Sequence, residues 1–148
     1  MNPWMIYSGE GLDFTAVHEG LRTRAYQDSG GLWTCGYGHT TGVGPSTVCD
    51  ETLARQWLEF DIRVASSAVN RLVLVELTQN EFDALVDFTF NVGVNALQHS
   101  TLLDLLNGGD YQGAAQQFER WKFCKGAVVA GLLKRRQDES DLFKGEST

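Results

Sequence analysis

The sequence predicts an α+β fold, with a small β lobe and a larger helical lobe joined by one long helix and a cleft between them. Three observations carry that expectation. Gly30, Gly31, Gly36, Gly38, Gly42 and Gly44 punctuate a stretch that also holds Tyr26, Trp33, Tyr37 and Val43, a pattern of short strands and tight turns. After Pro45 the apolar residues recur with helical period, from Asp50 to about Val73. Beyond that point, capping residues introduce one helix after another. At 148 residues the chain suits one domain, able to bury roughly two thirds of its unfolded surface. The small lobe is expected over about residues 13–60, and the helical lobe over about 61–148 together with the N-terminal helix.

Taken in order, Ser8 is placed to cap a first helix that runs to about Gly20. Phe14, Val17 and Leu21 share one face of it and suit a core, while Leu12, Ala16 and Glu19 share another. The Gly-rich segment follows as the β lobe. The long helix then presents Leu53, Trp57, Phe60, Val64 and Val69 as part of its apolar face. Thr78 and Glu81 form a capping box for the next helix, whose Phe82, Leu85, Val86 and Phe90 recur at helical spacing. Ser100, Asp110 and Gly131 introduce three more helical stretches, and Gly108 with Gly109 is a stop signal. No internal repeat or low-complexity segment interrupts this order.

Composition narrows the function classes. The chain is 43% hydrophobic and 21% charged, which fits a globular protein rather than a disordered one. Its net charge of −7 disfavours nucleic acid as a partner. The basic residues are unevenly placed: Arg120, Lys122, Lys125, Lys134, Arg135 and Arg136 form a run without an acid. Such a run can steer an acidic polymer at short range, or it can be a solvated helix face plus a structural ion pair. No apolar run approaches the ~18 residues a membrane-spanning helix needs, and the start does not resemble a signal peptide. The expectation is a protein without a membrane anchor that stays in the cytoplasm until a path opens. His18, His39 and His99 lack metal-ligand spacing, so neither a metal nor an organic cofactor is implied. His39 reads as a hydrogen-bonded structural residue. Cys35, Cys49 and Cys124 do not make a disulfide framework; reduced, dispensable thiols are expected, and Cys35 with Cys49 is the pair worth testing.

The chemistry concentrates in HEGLRTRAYQDSGGLWTCGYGHT, residues 18–40, where Glu19, Asp28 and Thr34 stand as Glu-x8-Asp-x5-Thr. Two acids on separate elements, facing across a gap, are what glycosidic hydrolysis requires. One is protonated and donates to the leaving oxygen; the other is ionised and activates water. From the residues alone the alternative stands beside this reading, that both are solvated surface acids among 19. For Thr34 alone, an ordinary strand threonine is the simpler reading.

This segment resembles the catalytic signature of the phage-type lysozymes, the endolysin family of muramidases (glycoside hydrolase family 24). LTQNEFDALVDFTFNVG (77–93), STLLDLLNGGDY (100–111), QFERW (117–121) and GLLKRRQDESDLF (131–143) resemble further family segments in the family's order. The resemblance covers about Ser8 to Phe143 and implies a single lysozyme-like catalytic domain. It implies Glu19 as the general acid, with Asp28 and Thr34 holding the attacking water. Water held on the far face means inversion, with carboxyls roughly 6.5–9.5 Å apart. An arginine against the catalytic glutamate is implied at Arg135, in preference to Arg136. Tyr26, Trp33 and Tyr37 are candidates for stacking on sugars, with packing in the small lobe as the alternative for each. The implied substrate is peptidoglycan, cut by a monomer at the β-1,4 bond between N-acetylmuramic acid and N-acetylglucosamine. The implied setting is host lysis at phage release, with a holin as the candidate partner for passage from the host cytoplasm to the wall. Two rival activities fit the same polymer: a lytic transglycosylase leaving anhydro ends, and a murein-binding domain without catalysis.

Overall fold

Two segments of the chain, 12–63 and 1–11 with 64–148, form two compact units. The computed structural model describes residues 3–124 and 126–145. The fold is α+β, as the glycine and helix patterns require.

The unit over 12–63 is built on a hairpin. Helix α1 (Gly9–Glu19) enters it and ends at Gly20, whose φ of 76° turns the chain into strand β1 (Arg22–Gln27). Strand β2 (Trp33–Gly36) pairs antiparallel with β1, in the register Tyr26 to Thr34 and Gln27 to Trp33. Thr47 and Cys49 extend the array: Thr47 O accepts from Ala25 N at 3.0 Å, and Cys49 N donates to Thr23 O at 2.9 Å. Between Gly36 and Gly38 the chain reverses so tightly that Cys35 and His39 exchange both backbone hydrogen bonds at 2.9 Å. Gly36 and Gly38 have φ of 70° and 79°, a left-handed conformation natural to glycine. Gly36 is also needed for space, since a Cβ there would stand 3.1 Å from the Trp57 ring and 3.2 Å from Ala54 Cβ.

Helix α2 (Glu51–Leu72) is one uninterrupted element of 22 residues. Its buried positions are Ala54, Leu58, Ile62, Ala65, Ala68 and Val69. This corrects part of the expected face: Val69 is buried as expected, Leu53 and Trp57 are half-buried, but Phe60 is 62% exposed and Val64 69%. The first helix shows the same correction. Thr15 and Ala16 are buried, whereas Val17 is 80% exposed and Leu21 also faces solvent. In both helices small residues (Thr15 and Ala16; Ala54, Ala65 and Ala68) take buried positions while larger apolar neighbours face solvent.

The other unit is helical. Ser8 caps α1 as expected, its Oγ accepting from Gly11 N at 2.9 Å, and it also bonds through its hydroxyl to Asp83. Helix α3 (Gln79–Val92) begins at the capping box read from the sequence: Thr78 Oγ1 accepts from Glu81 N, and Glu81 Oε1 accepts from Thr78 N. Phe82, Leu85, Val86 and Phe88 are buried along it. Helices α4 (Val94–Gln98), α5 (Thr101–Asn107) and α6 (Tyr111–Gln117) follow, with Ser100 and Asp110 capping the last two. A 3-10 turn (Phe118–Trp121) leads into a short hairpin of β3 (Phe123–Cys124) and β4 (Ala127–Val128). Helix α7 (Ala130–Lys144) packs along α3. Its ring Phe143 meets Phe118, which meets Phe88 edge-on at 5.4 Å, and Trp121 meets Phe88 from another side at 5.6 Å. Buried aromatic contacts of this kind add about 0.5–1.5 kcal/mol each beyond area.

Candidate active site

Glu19, Asp28 and Thr34 all fall in the unit over 12–63. Glu19 is the last residue of α1, half-buried at the point where the helix gives way to the hairpin. Its carboxylate lies against the tight reversal after β2, so closely that a Cβ on Gly38 would stand 2.9 Å from Glu19 Oε1. Glycine at 38 therefore does two things: it permits the positive φ, and it leaves room for the acid.

Asp28 and Thr34 are organised by one peptide, that of Leu32. Asp28 Oδ1 accepts from Leu32 N and from Gly30 N, both at 2.9 Å. Leu32 O accepts from Asp28 N at 2.9 Å and from Thr34 Oγ1 at 3.0 Å. The Asp-Ser-Gly-Gly sequence folds this way because an Asp at a turn bonds its own backbone two residues on, and Gly31 supplies a φ of 85°. The effect is to fix one carboxylate oxygen by two amide donors. Asp28 Oδ2 makes no hydrogen bond among the described residues and faces solvent. Thr34 is buried in β2, and its hydroxyl, having donated to Leu32 O, keeps its lone pairs for a donor such as water.

The aromatic candidates separate. Tyr37 is buried, so its ring contributes to packing. Tyr26 is half-buried, with the Arg22 guanidinium 4.5 Å from its centroid. Trp33 is half-buried at the end of β2. His39 is buried and structural: Nδ1 is 2.7 Å from Asp61 Oδ2, and its ring stacks on Trp57 at 4.5 Å. These two contacts tie the reversal at Gly38 to α2.

Arg135 lies in the helical unit, where it is buried and held in a two-pronged bond by Asp87, Nε to Oδ2 at 2.9 Å and Nη2 to Oδ1 at 2.8 Å. Arg136 is fully buried beside it, donating to Asn91 Oδ1 at 2.9 Å and to Glu139 Oε2 at 3.0 Å. Its Nε lies 2.7 Å from Glu139 Oε1, a charge contact without hydrogen-bond alignment. Burial holds the Glu139 carboxyl well above the usual carboxylate range; its hydrogen bond and charge interaction with Asp87 push the same way, against the two arginines. Burial likewise lowers the Arg136 guanidinium. The sequence reading did not single out Asp61, Asp87, Asn91 or Glu139. Only Glu139 left a local trace, standing four residues after Arg135 and three after Arg136.

The two thiols of the small unit touch. Cys35 Sγ and Cys49 Sγ are 3.6 Å apart, both unoxidised, and both lie near Arg22 O. Burial, then the hydrogen bond to Cys35, pushes the Cys49 thiol up to about 11. Among the described residues no group of three or more His, Cys, Asp or Glu converges to hold a metal ion.

The α+β fold is of the lysozyme-like class, shared with solved structures at TM-scores of 0.85 to 0.90. The phage lysozyme family model matches residues 16–139, and the chain belongs to that family. It is 41% identical over 144 residues to an endolysin of Acyrthosiphon pisum secondary endosymbiont phage 1, covering 95% of this chain and 99% of the relative. It is 43% identical over 147 residues to an endolysin of Bacillus phage B103, covering 97% of this chain but only 56% of that longer protein. The muramidase domain of SpmX from Asticaccaulis excentricus superposes with a TM-score of 0.90 at 39% identity, over 93% of this chain and 97% of that one.

Proposed function

We propose that the protein is a muramidase that hydrolyses the β-1,4 bond between N-acetylmuramic acid and N-acetylglucosamine with inversion at the anomeric carbon. Glu19 donates the proton to the leaving oxygen. Asp28 and Thr34 hold the water that attacks the opposite face. The observation that carries this reading is the Leu32 peptide: it orients the Asp28 carboxylate and the Thr34 hydroxyl together, leaving Oδ2 of one and the lone pairs of the other for a water. A transglycosylase, which uses no water, has no need of such a pair. Trp33 and Tyr26 are the rings proposed to meet the sugars. Arg135, its guanidinium fixed by Asp87, keeps the supporting role that the family resemblance implies.

The enzyme acts as a monomer on peptidoglycan at phage release, with a holin opening its path from the cytoplasm. Among the described residues no helix is long and apolar enough to cross a membrane. The test combines products and variants. Purified peptidoglycan should yield free reducing muramic ends, seen by NMR directly after cleavage as the inverted anomer. Glu19→Gln should lower turnover by roughly 10²–10⁴ while the fold survives, and Thr34→Ala and Asp28→Asn should each lower it as well. Anhydro ends, or near wild-type turnover by folded Glu19→Gln, would overturn the assignment.

A further inference from the structure

Cys35 and Cys49 take no part in the proposed hydrolysis, and a third donor stands beside them. Their Sγ atoms are 3.6 Å apart, and both thiols donate to one carbonyl, Arg22 O, at 3.6 and 3.5 Å. Two sulfurs and an oxygen thus form a nearly equilateral triangle. A further carbonyl, Thr47 O, stands farther off, 4.0 Å from Cys35 Sγ. The corners come from three stretches of chain: Arg22 from β1, Cys35 from β2, and Cys49 from the segment that extends the array. Cys35 is fully buried, while Cys49 is half-buried and leaves a way in.

An ion at the centre of such a triangle is about 2.1 Å from each corner, and a small step out of the plane brings that to the ~2.3 Å of a metal–thiolate bond. Counting side chains alone misses the arrangement, because its third donor belongs to the main chain. Two thiols and one carbonyl are too few for zinc, whose closed sites hold four ligands. Thiolate sulfur selects soft ions, and copper(I) is the soft ion content with two or three donors. Burial, then the hydrogen bond to Cys35, holds the Cys49 thiol up at about 11. Its proton therefore stays at neutral pH until a metal displaces it.

We propose that Cys35 Sγ, Cys49 Sγ and Arg22 O form a binding site for a soft monovalent cation of the copper(I) class, which clamps the β1–β2 hairpin to the segment carrying Cys49. On binding, both S–H bonds break, their protons pass to solvent, and two metal–sulfur bonds form with no change of oxidation state. Thr34 and Cys35 are successive residues of β2, so their side chains leave it on opposite faces. The ion is held away from the Thr34 hydroxyl, and the clamp is independent of the hydrolysis proposed above.

The experiment presents copper(I) as its coloured bicinchoninate complex, under ascorbate and without oxygen, to the Cys124→Ser protein. That background leaves Cys35 and Cys49 as the only thiols. The protein should take one ion per chain from the chelator, read as loss of colour, and its affinity should fall as pH drops because protons compete for the sulfurs. With free copper(I) held at a hundred times Kd, the unfolding midpoint should rise by roughly 5–10 °C. Zinc(II) should not move it. Adding Cys35→Ser or Cys49→Ser, with folding checked by circular dichroism, should abolish both the transfer and the shift, since a lone thiol does not outcompete the chelator. Two ions per chain would mean two independent thiols and overturn the proposal. So would failure to take copper(I) at all, transfer that survives in either single variant, or a larger shift with zinc(II) than with copper(I).

Discussion

At the scale of single residues, space matters as much as chemistry. Gly38 has no reactive group, yet it stands where any side chain would press on the Glu19 carboxylate. Gly38→Ala should lower turnover well beyond its effect on folding, because the methyl meets Oε1 at 2.9 Å and the positive φ adds only about 1–2 kcal/mol of backbone strain. Comparing kcat with the denaturation midpoint checks this; a loss of stability with full specific activity would refute it. The thiols invite a second expectation. With its thiol pushed up to about 11, Cys49 carries little thiolate at neutral pH and is a poor nucleophile despite the nearby Cys35 Sγ. Cys35→Ser and Cys49→Ser should both retain activity, and wild type should be indifferent to dithiothreitol. A large response to reductant that disappears in Cys35→Ser would reveal a thiol switch instead. Glu19, Asp28 and Thr34, the set proposed for catalysis, could be singled out in the sequence because an acid or a hydroxyl carries its chemistry in its identity. Asp61 and Asp87 were not, since their partners His39 and Arg135 stand 22 and 48 residues away.

At the scale of elements, caps proved readable, whereas the faces of α1 and α2 were readable only in part. Ser8, Thr78, Ser100 and Asp110 each start a helix by a bond made within three residues, so local sequence contains the whole interaction. The buried face of a helix depends on its neighbours instead. In α2, Ala54, Ala65 and Ala68 lie buried, while the larger Phe60 and Val64 face outward. Reading by hydrophobic bulk found Val69 but wrongly placed Phe60 and Val64 on the buried side. The consequence is measurable. Leu58→Ala should cost about 2–5 kcal/mol, whereas Phe60→Gln and Val64→Gln should stay within roughly 0.5 kcal/mol of wild type. Urea denaturation checks both, and a large loss at Val64 with none at Leu58 would restore the face expected from the sequence.

At the scale of the whole molecule, the α+β class followed from a glycine-rich stretch flanked by helical periods, which are long-range signals that survive local error. The buried charge cluster between α3 and α7 could not be foreseen, because its members come from both helices and only the packing makes them neighbours. It also gives stability a pH dependence. The Glu139 carboxyl titrates higher in the folded chain than its ordinary 4.5. Its contribution is therefore fully present below the unfolded value and is lost as pH rises toward the folded value. Glu139→Gln keeps the shape of the neutral acid and does not ionise. Relative to wild type the variant should gain stability steadily as pH rises above about 4.5. Thermal unfolding of both proteins across that range measures the difference, and a difference independent of pH would show that Glu139 ionises alike in both states.

The Leu32 peptide has one further consequence. Because it holds Asp28 and Thr34 through main-chain atoms alone, the side chain at 32, 54% exposed, takes no part in the arrangement. Residue 32 is free to vary while the geometry around it stays fixed. A fluorophore or spin label attached there, through Leu32→Cys, would sit beside Asp28 and Thr34, and under the role proposed for them its signal should change when peptidoglycan is added while turnover continues.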